Sequence, residues 1–173
     1  MEGKGYIQLY TGNGKGKTTA AFGLAVRALC AGKRVFIGQF VKSIKYNETR
    51  IESLFEKQLV IRQFGRGCFL DHKPGKEDVF SASEGLRQCA EVLASAQWDL
   101  VVLDELTIAV YFGLLTDEEV LRALEQRASG TEVVLTGRYA SEKLIEKADL
   151  VTEMCEVKHY YAQGILSRDG FDH

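Results

Sequence analysis

The sequence has one proline in 173 residues, and it has no internal repeat and no low-complexity tract. With 46% apolar and 27% charged residues, it is excluded from the largely disordered class and reads as a chain able to bury a sizeable core. Its four cysteines, Cys30, Cys68, Cys89 and Cys155, include no C-x-x-C pair. That spacing offers no pair for a thiolate zinc site or redox couple, the number is too small for a disulfide framework, and buried or incidental thiols are expected. Charge of one sign is also missing: 22 basic against 24 acidic residues leave a net charge of -2, so nothing global attracts nucleic acid or a membrane surface. Any anion site must be local. The longest uncharged run, Leu106 to Thr116, falls well short of the roughly 20 apolar residues of a membrane helix. Met1-Glu2-Gly3-Lys4-Gly5 leads into no signal-peptide core, and the expectation is a cytoplasmic chain forming one domain over residues 1–173.

What is present is an alternation of short apolar runs with longer segments of helical period, the rhythm of a βα protein. Strands are expected at Tyr6 to Tyr10, Arg34 to Val41, Leu59 to Phe64, Trp98 to Leu103, Glu132 to Thr136 and Leu150 to Met154. Several are continuously apolar, as strands covered on both faces must be. Helices are expected near 17–31, 47–57, 76–96, 116–127 and 140–148. In the third, Val79, Ala82, Leu86, Cys89 and Leu93 recur at three- and four-residue spacing and share a face. Gly32 is a plausible stop for the first helix. The tail from Cys155 to His173 carries too little periodicity to assign. The fold class expected is α/β, a three-layer P-loop NTPase-like (RecA-like) fold with a mostly parallel sheet of about five or six strands. Parallel βα units bind ligands beyond the carboxyl ends of their strands, which directs attention to that edge.

There the first strand runs into Thr11-Gly12-Asn13-Gly14-Lys15-Gly16-Lys17-Thr18-Thr19. Glycines at 12, 14 and 16 let the backbone wrap an anion, with NH groups and a positive helix end pointing inward. Lys17 supplies a point charge, Lys15 a second cation, and Thr18 a hydroxyl for Mg2+. The usual pattern has glycine where Thr11 stands, so the motif is a variant. Leu100-Val101-Val102-Leu103-Asp104-Glu105 is an apolar strand ending in two carboxylates. Asp104 is the candidate to hold Mg2+ with Thr18, and Glu105 to orient water, contact the ribose or act as a base. The alternative is a helix cap. Arg138, ending the fifth strand, either grips a phosphate oxygen or makes a surface ion pair. Lys42, Lys45 and Arg66 are weaker candidates, with solvated charge as their default.

The string Tyr10 to Ala21, with Gln39-Phe40-Val41-Lys42, Val102-Leu103-Asp104-Glu105, Leu135-Thr136-Gly137-Arg138 and Val157-Lys158-His159, resembles the ATP:corrinoid adenosyltransferases of the bacterial cobalamin-salvage type. The likeness runs in order from about residue 5 to residue 172. It implies a homodimer that transfers the 5'-deoxyadenosyl group of ATP to reduced cobalt and releases triphosphate, with Mg2+ or Mn2+ assisting and a reductase or flavoprotein supplying electrons. Gly12 to Thr19 would hold the triphosphate, Thr18 and Asp104 the metal, and Glu105 and Arg138 would flank the nucleotide. The triphosphate is expected reversed relative to most P-loop enzymes, with which Thr11 is compatible.

In the family, aromatic residues of the loop after the third strand strip cobalt of an axial ligand. Here that loop reads Phe64-Gly65-Arg66-Gly67-Cys68-Phe69-Leu70-Asp71-His72, and Phe69 and Leu70 are the apolar candidates for corrinoid binding. Phe69 packing its own loop is the alternative, and His72 reads as a solvent-exposed loop histidine. Lys158 and His159 resemble the start of a C-terminal segment, here 155–173, that closes around the site; a structural hydrogen bond is the other role open to His159. Longer relatives carry an amino-terminal extension over the corrinoid, whereas strand character here begins at Tyr6, so either that lid is absent or another segment serves. Two rival functions remain from the residues alone: a phosphotransferase or NTPase cutting the terminal phosphate, and a non-catalytic nucleotide- or corrinoid-binding module.

Overall fold

Alternate residues of the apolar strands must bury on opposite faces, and in the computed structural model, which describes residues 3–42, 44, 46–65 and 74–172, they do. Leu100 and Val102 face one core cluster with Ala21, Phe22, Ala25 and Leu29. Val101 and Leu103 face the other, with Leu86, Cys89, Leu93, Val120, Leu124 and Leu144. Each buried valine, leucine or phenylalanine among them contributes about 1.5 to 3 kcal/mol. The result is three layers.

The sheet has six strands in the order β3-β2-β4-β5-β1-β6. They are β1 (Ile7–Thr11), β2 (Val35–Gln39), β3 (Leu59–Gln63), β4 (Leu100–Asp104), β5 (Glu132–Thr136) and β6 (Leu150–Glu153), all paired in parallel. Helix α1 (Lys17–Cys30) covers one face. Helices α2 (Lys76–Ala94), α3 (Leu106–Tyr111), α4 (Asp117–Glu125) and α5 (Glu142–Lys147) bury residues against the other. Gly32 adopts φ 78 just past the end of α1 and its N–H donates to Leu29 O at 2.9 Å, the stop expected of it. Thr116 and Ser141 cap α4 and α5 through their hydroxyls.

Four differences from the sequence reading have physical causes. The segment expected as a helix over 47–57 is a 3₁₀ helix, Asn47–Leu54, which buries only Thr49 and so lacks the apolar stripe that sustains an α-helix. Helix α3 has no counterpart among the expected helices, because its few residues look like one uncharged run. On the face of α2, Val79 is half exposed while Ala82, Leu86, Cys89 and Leu93 are buried, since the helix enters the core only after its first turn. The unassigned tail contains a short 3₁₀ helix, Tyr160–Gln163. No helix among the described residues is long and apolar enough to cross a membrane.

Candidate functional site

The phosphate-loop string occupies the turn between β1 and α1. Gly12 at φ 93 and Gly16 at φ 117 take left-handed conformations that side chains resist. A Cβ on Gly12 or Gly14 would lie 2.5 or 2.7 Å from Met154 O, because the end of β6 packs directly on the loop. Gly14 N–H donates to Met154 O at 2.6 Å, and Met154 N–H donates to Thr11 O at 2.8 Å. Lys17 is buried within the loop, its ammonium donating to Gly12 O at 2.7 Å and Gly14 O at 2.6 Å. Burial, with Arg138 nearby, lowers its affinity for a proton from the usual lysine value.

Asp104 is the hub of the site. It is fully buried at the end of β4. Thr18 Oγ1 donates to its Oδ1 at 2.8 Å and Thr136 Oγ1 to the same atom at 2.7 Å. Its Oδ2 accepts from Lys42 Nζ at 2.8 Å and from Gln39 Nε2 at 3.1 Å. Burial alone would raise its pKa, but the Lys42 ammonium and these donors outweigh it and hold the carboxyl below its usual range. Of the helix-cap alternative only the position holds: Glu105 is the N-cap of α3 but makes no side-chain cap bond, and Asp104 lies before it. Glu105 stands at φ 59, its N–H donating to Thr136 Oγ1 at 2.9 Å, and burial beside Asp104 pushes its carboxyl up. Strain at such a non-glycine position is characteristic of working sites.

The donor set around Asp104 suits a hard cation. One carboxylate and one hydroxyl are what Mg2+ or Mn2+ takes from a protein when phosphates and waters complete its shell. Among the described residues no cluster of three or more histidine, cysteine, aspartate or glutamate side chains offers a cage independent of a nucleotide.

Of the residues singled out from sequence, Gly12, Gly14, Gly16, Lys17, Thr18, Asp104 and Glu105 converge at this edge, while Asn13 and Thr19 lie exposed on the loop and first turn. Arg138 is exposed but close enough to influence Lys17 and Glu105 electrostatically. Lys42 corrects the solvated-charge expectation: its side chain is 15% exposed and it is bound to Asp104. Nothing in its local pattern pairs it with Asp104; the pairing of β2 with β4, which sets Gln39 beside Asp104, brings it there. Lys15 turns away from the loop interior. Its ammonium donates to Tyr160 Oη at 2.9 Å and Phe171 O at 2.7 Å, and pairs with Asp172.

The same tail binds Arg168 Nε to Asp172 Oδ2 at 3.0 Å and Asn47 Nδ2 to Asp169 Oδ1 at 2.5 Å. His159 Nδ1 accepts from Tyr161 N–H at 3.0 Å, the structural hydrogen bond, and Lys158 is exposed. Phe69 and Leu70, with Arg66, Cys68 and His72, lie outside the described residues, as does Lys45. Beside that loop's anchors, between the end of β3 and the start of α2, is a depression of about 590 Å³ lined by Gln63, Phe64, Lys76, Phe80 and Gln88 among others.

The whole-chain comparisons agree with this geometry. The family described as ATP:corrinoid adenosyltransferase BtuR/CobO/CobP matches residues 3–173. A corrinoid adenosyltransferase of Escherichia coli K12 is 39% identical over 171 residues, covering 98% of this chain and 86% of the relative. One from Pseudomonas aeruginosa is 36% identical over 170 residues, covering 98% and 84%. The corrinoid adenosyltransferase CobA of Salmonella typhimurium is 39% identical over 174 residues, covering 100% and 88%. A phosphate loop joined through Thr18 to a buried strand-end aspartate, in a chain matched along nearly its full length, places this protein in the ATP:corrinoid adenosyltransferase family.

Proposed function

We propose that this chain transfers the 5'-deoxyadenosyl group of ATP to the cobalt(I) of a corrinoid and releases inorganic triphosphate. The electron pair of cobalt(I) forms the new bond to C5', the C5'–O bond breaks, and its pair departs on the triphosphate. Cobalt(I) is itself a strong nucleophile, so the chain has no need of a covalent residue. Its work is to align C5' with the metal and to stabilise charge on the leaving group.

Lys17, turned from Gly12 O and Gly14 O, and the loop amides would meet the triphosphate, each charge-assisted hydrogen bond contributing about 1.5 to 3 kcal/mol. Only the part that grows in the transition state accelerates the reaction. Thr18 and Asp104 would hold Mg2+ or Mn2+, which supplies additional charge stabilisation to the phosphates. Glu105 and Arg138 flank the nucleotide, and Phe69, Leu70, Lys158 and His159 are proposed for the corrinoid. The working state is inferred to be a cytoplasmic homodimer served by an electron-donating reductase or flavoprotein. The observation that carries the reading is the intact link from loop to Asp104 within a family match spanning residues 3–173.

The test is incubation with ATP, Mg2+ and chemically reduced cobalamin, following the corrinoid spectrum and the phosphate product. Triphosphate with a new cobalt–carbon bond is expected, and Lys17→Ala should reduce the rate by at least about 10²-fold while the protein stays folded. ADP as sole nucleotide product, with the corrin unalkylated, would instead establish the phosphotransferase or NTPase reading.

A further inference from the structure

A carboxylate as buried as Asp104 is costly unless cations or several donors face it. Four donors do, and three of them are neutral: Thr18, Thr136 and Gln39. The fourth, Lys42, carries the charge. Its approach is built into the backbone. Val41, a β-branched residue, stands at φ 64, a strained left-handed conformation, and turns the chain after β2 back toward β4. Phe40 N–H donates to Asp104 O at 2.8 Å, and Gly65 N–H donates to Lys42 O at 3.1 Å. A Cβ on Gly65 would lie 2.4 Å from Lys42 N, so the neighbouring chain is packed tightly against this turn. The ammonium also lies 5.5 Å from the Tyr46 ring and 3.9 Å from Glu48. The two oxygens are thus divided: the phosphate loop and β5 hold Oδ1, while β2 and its extension hold Oδ2.

We propose that Lys42 is a placeholder cation, its ammonium occupying on Asp104 Oδ2 the position a divalent ion needs. A metal gains the carboxylate only when a triphosphate is present to receive the displaced ammonium. Two cations on one oxygen repel, whereas the flexible lysine stem allows the ammonium to swing to a phosphate. The site therefore rejects free divalent ions and takes metal together with nucleotide. This rests on the assignment of Asp104 as the metal carboxylate, which the same experiment checks separately.

Mn2+ binding is measured at pH 8 by electron paramagnetic resonance, for the protein alone and with ATP. Wild type should bind Mn2+ weakly alone and tightly with ATP. Lys42→Met should tighten binding to the protein alone by about tenfold or more. Lys42→Arg should behave as wild type, and Lys42→Met combined with Asp104→Asn should lose the gain. Lys42→Gln, uncharged but still a donor, should also tighten binding and serves if the methionine variant fails to fold. If Asp104→Asn weakens Mn2+ binding with ATP yet neither uncharged variant tightens it without ATP, the placeholder role is overturned and the metal assignment stands. If Asp104→Asn leaves Mn2+ binding with ATP unchanged, the metal assignment falls and the proposal with it.

Discussion

Two lysine–aspartate pairs border the carboxyl edge of the sheet, and they are chemically alike but physically different. Lys42 and Asp104 are 15% and 0% exposed, held by adjacent strand ends and shared with three neutral donors. Lys15 and Asp172 are 41% and 10% exposed and join the crest of the loop to the tail. The first pair lies in a low-dielectric interior, where loss of one partner strands a charge. The second has its lysine open to water, which can take the place of Asp172 on the ammonium. Without nucleotide the first is part of the framework; the second is a fastening between a loop and the tail.

The comparison is tested most severely by breaking the inner pair. Lys42→Met should cost about 3 to 5 kcal/mol in urea denaturation, because Asp104 is left unpaired, and adding Asp104→Asn should restore much of it. A loss under about 1 kcal/mol would make the pairs equivalent. Lys15→Met should leave the global denaturation midpoint close to wild type while amide exchange in residues 160–172 becomes several-fold faster. A fall in the midpoint as large as that of Lys42→Met would erase the distinction.

A smaller effect follows acid. The hydrogen bonds from Lys15 and then Tyr160 hold Asp172 below the ordinary carboxylate range. A depressed folded pKa stabilises the docked tail at pH values above the unfolded pKa, and that contribution is lost as pH falls through the folded value. Tail protection measured by limited proteolysis should therefore be constant near neutrality and decline below about pH 4. Protection that instead weakened on going from pH 6 to pH 8 would contradict the assignment. The smallest effect is that of salt. Raising ionic strength from about 0.1 to 1 M shortens the screening length from about 10 to about 3 Å, and should loosen the tail without changing the stability carried by Lys42 and Asp104.

Much of the framework was legible in the residues. All six strands fall within two residues of their expected bounds, because continuous apolar runs have few alternatives in an α/β chain. The phosphate loop was equally plain, since glycine freedom and a lysine–threonine pair at a helix start form a local pattern. Helix α3 was not legible: it is short, its N-cap Glu105 supplies no side-chain bond, and its flank is uniformly apolar. The fate of Lys15 was hidden for another reason. Local sequence placed its charge beside the phosphates, but its partners Tyr160, Phe171 and Asp172 come from the far end of the chain.

The loop, the strand-end carboxylates and the layered α/β class all depend on residues close together along the chain, and are written there. Which cation neutralises Asp104 emerges on folding, since it requires β2 to lie beside β4 and Val41 to turn Lys42 inward. Strand order is a long-range property. A buried charge takes its partners from whatever elements the sheet sets next to it, and sequence spacing carries no record of that neighbourhood.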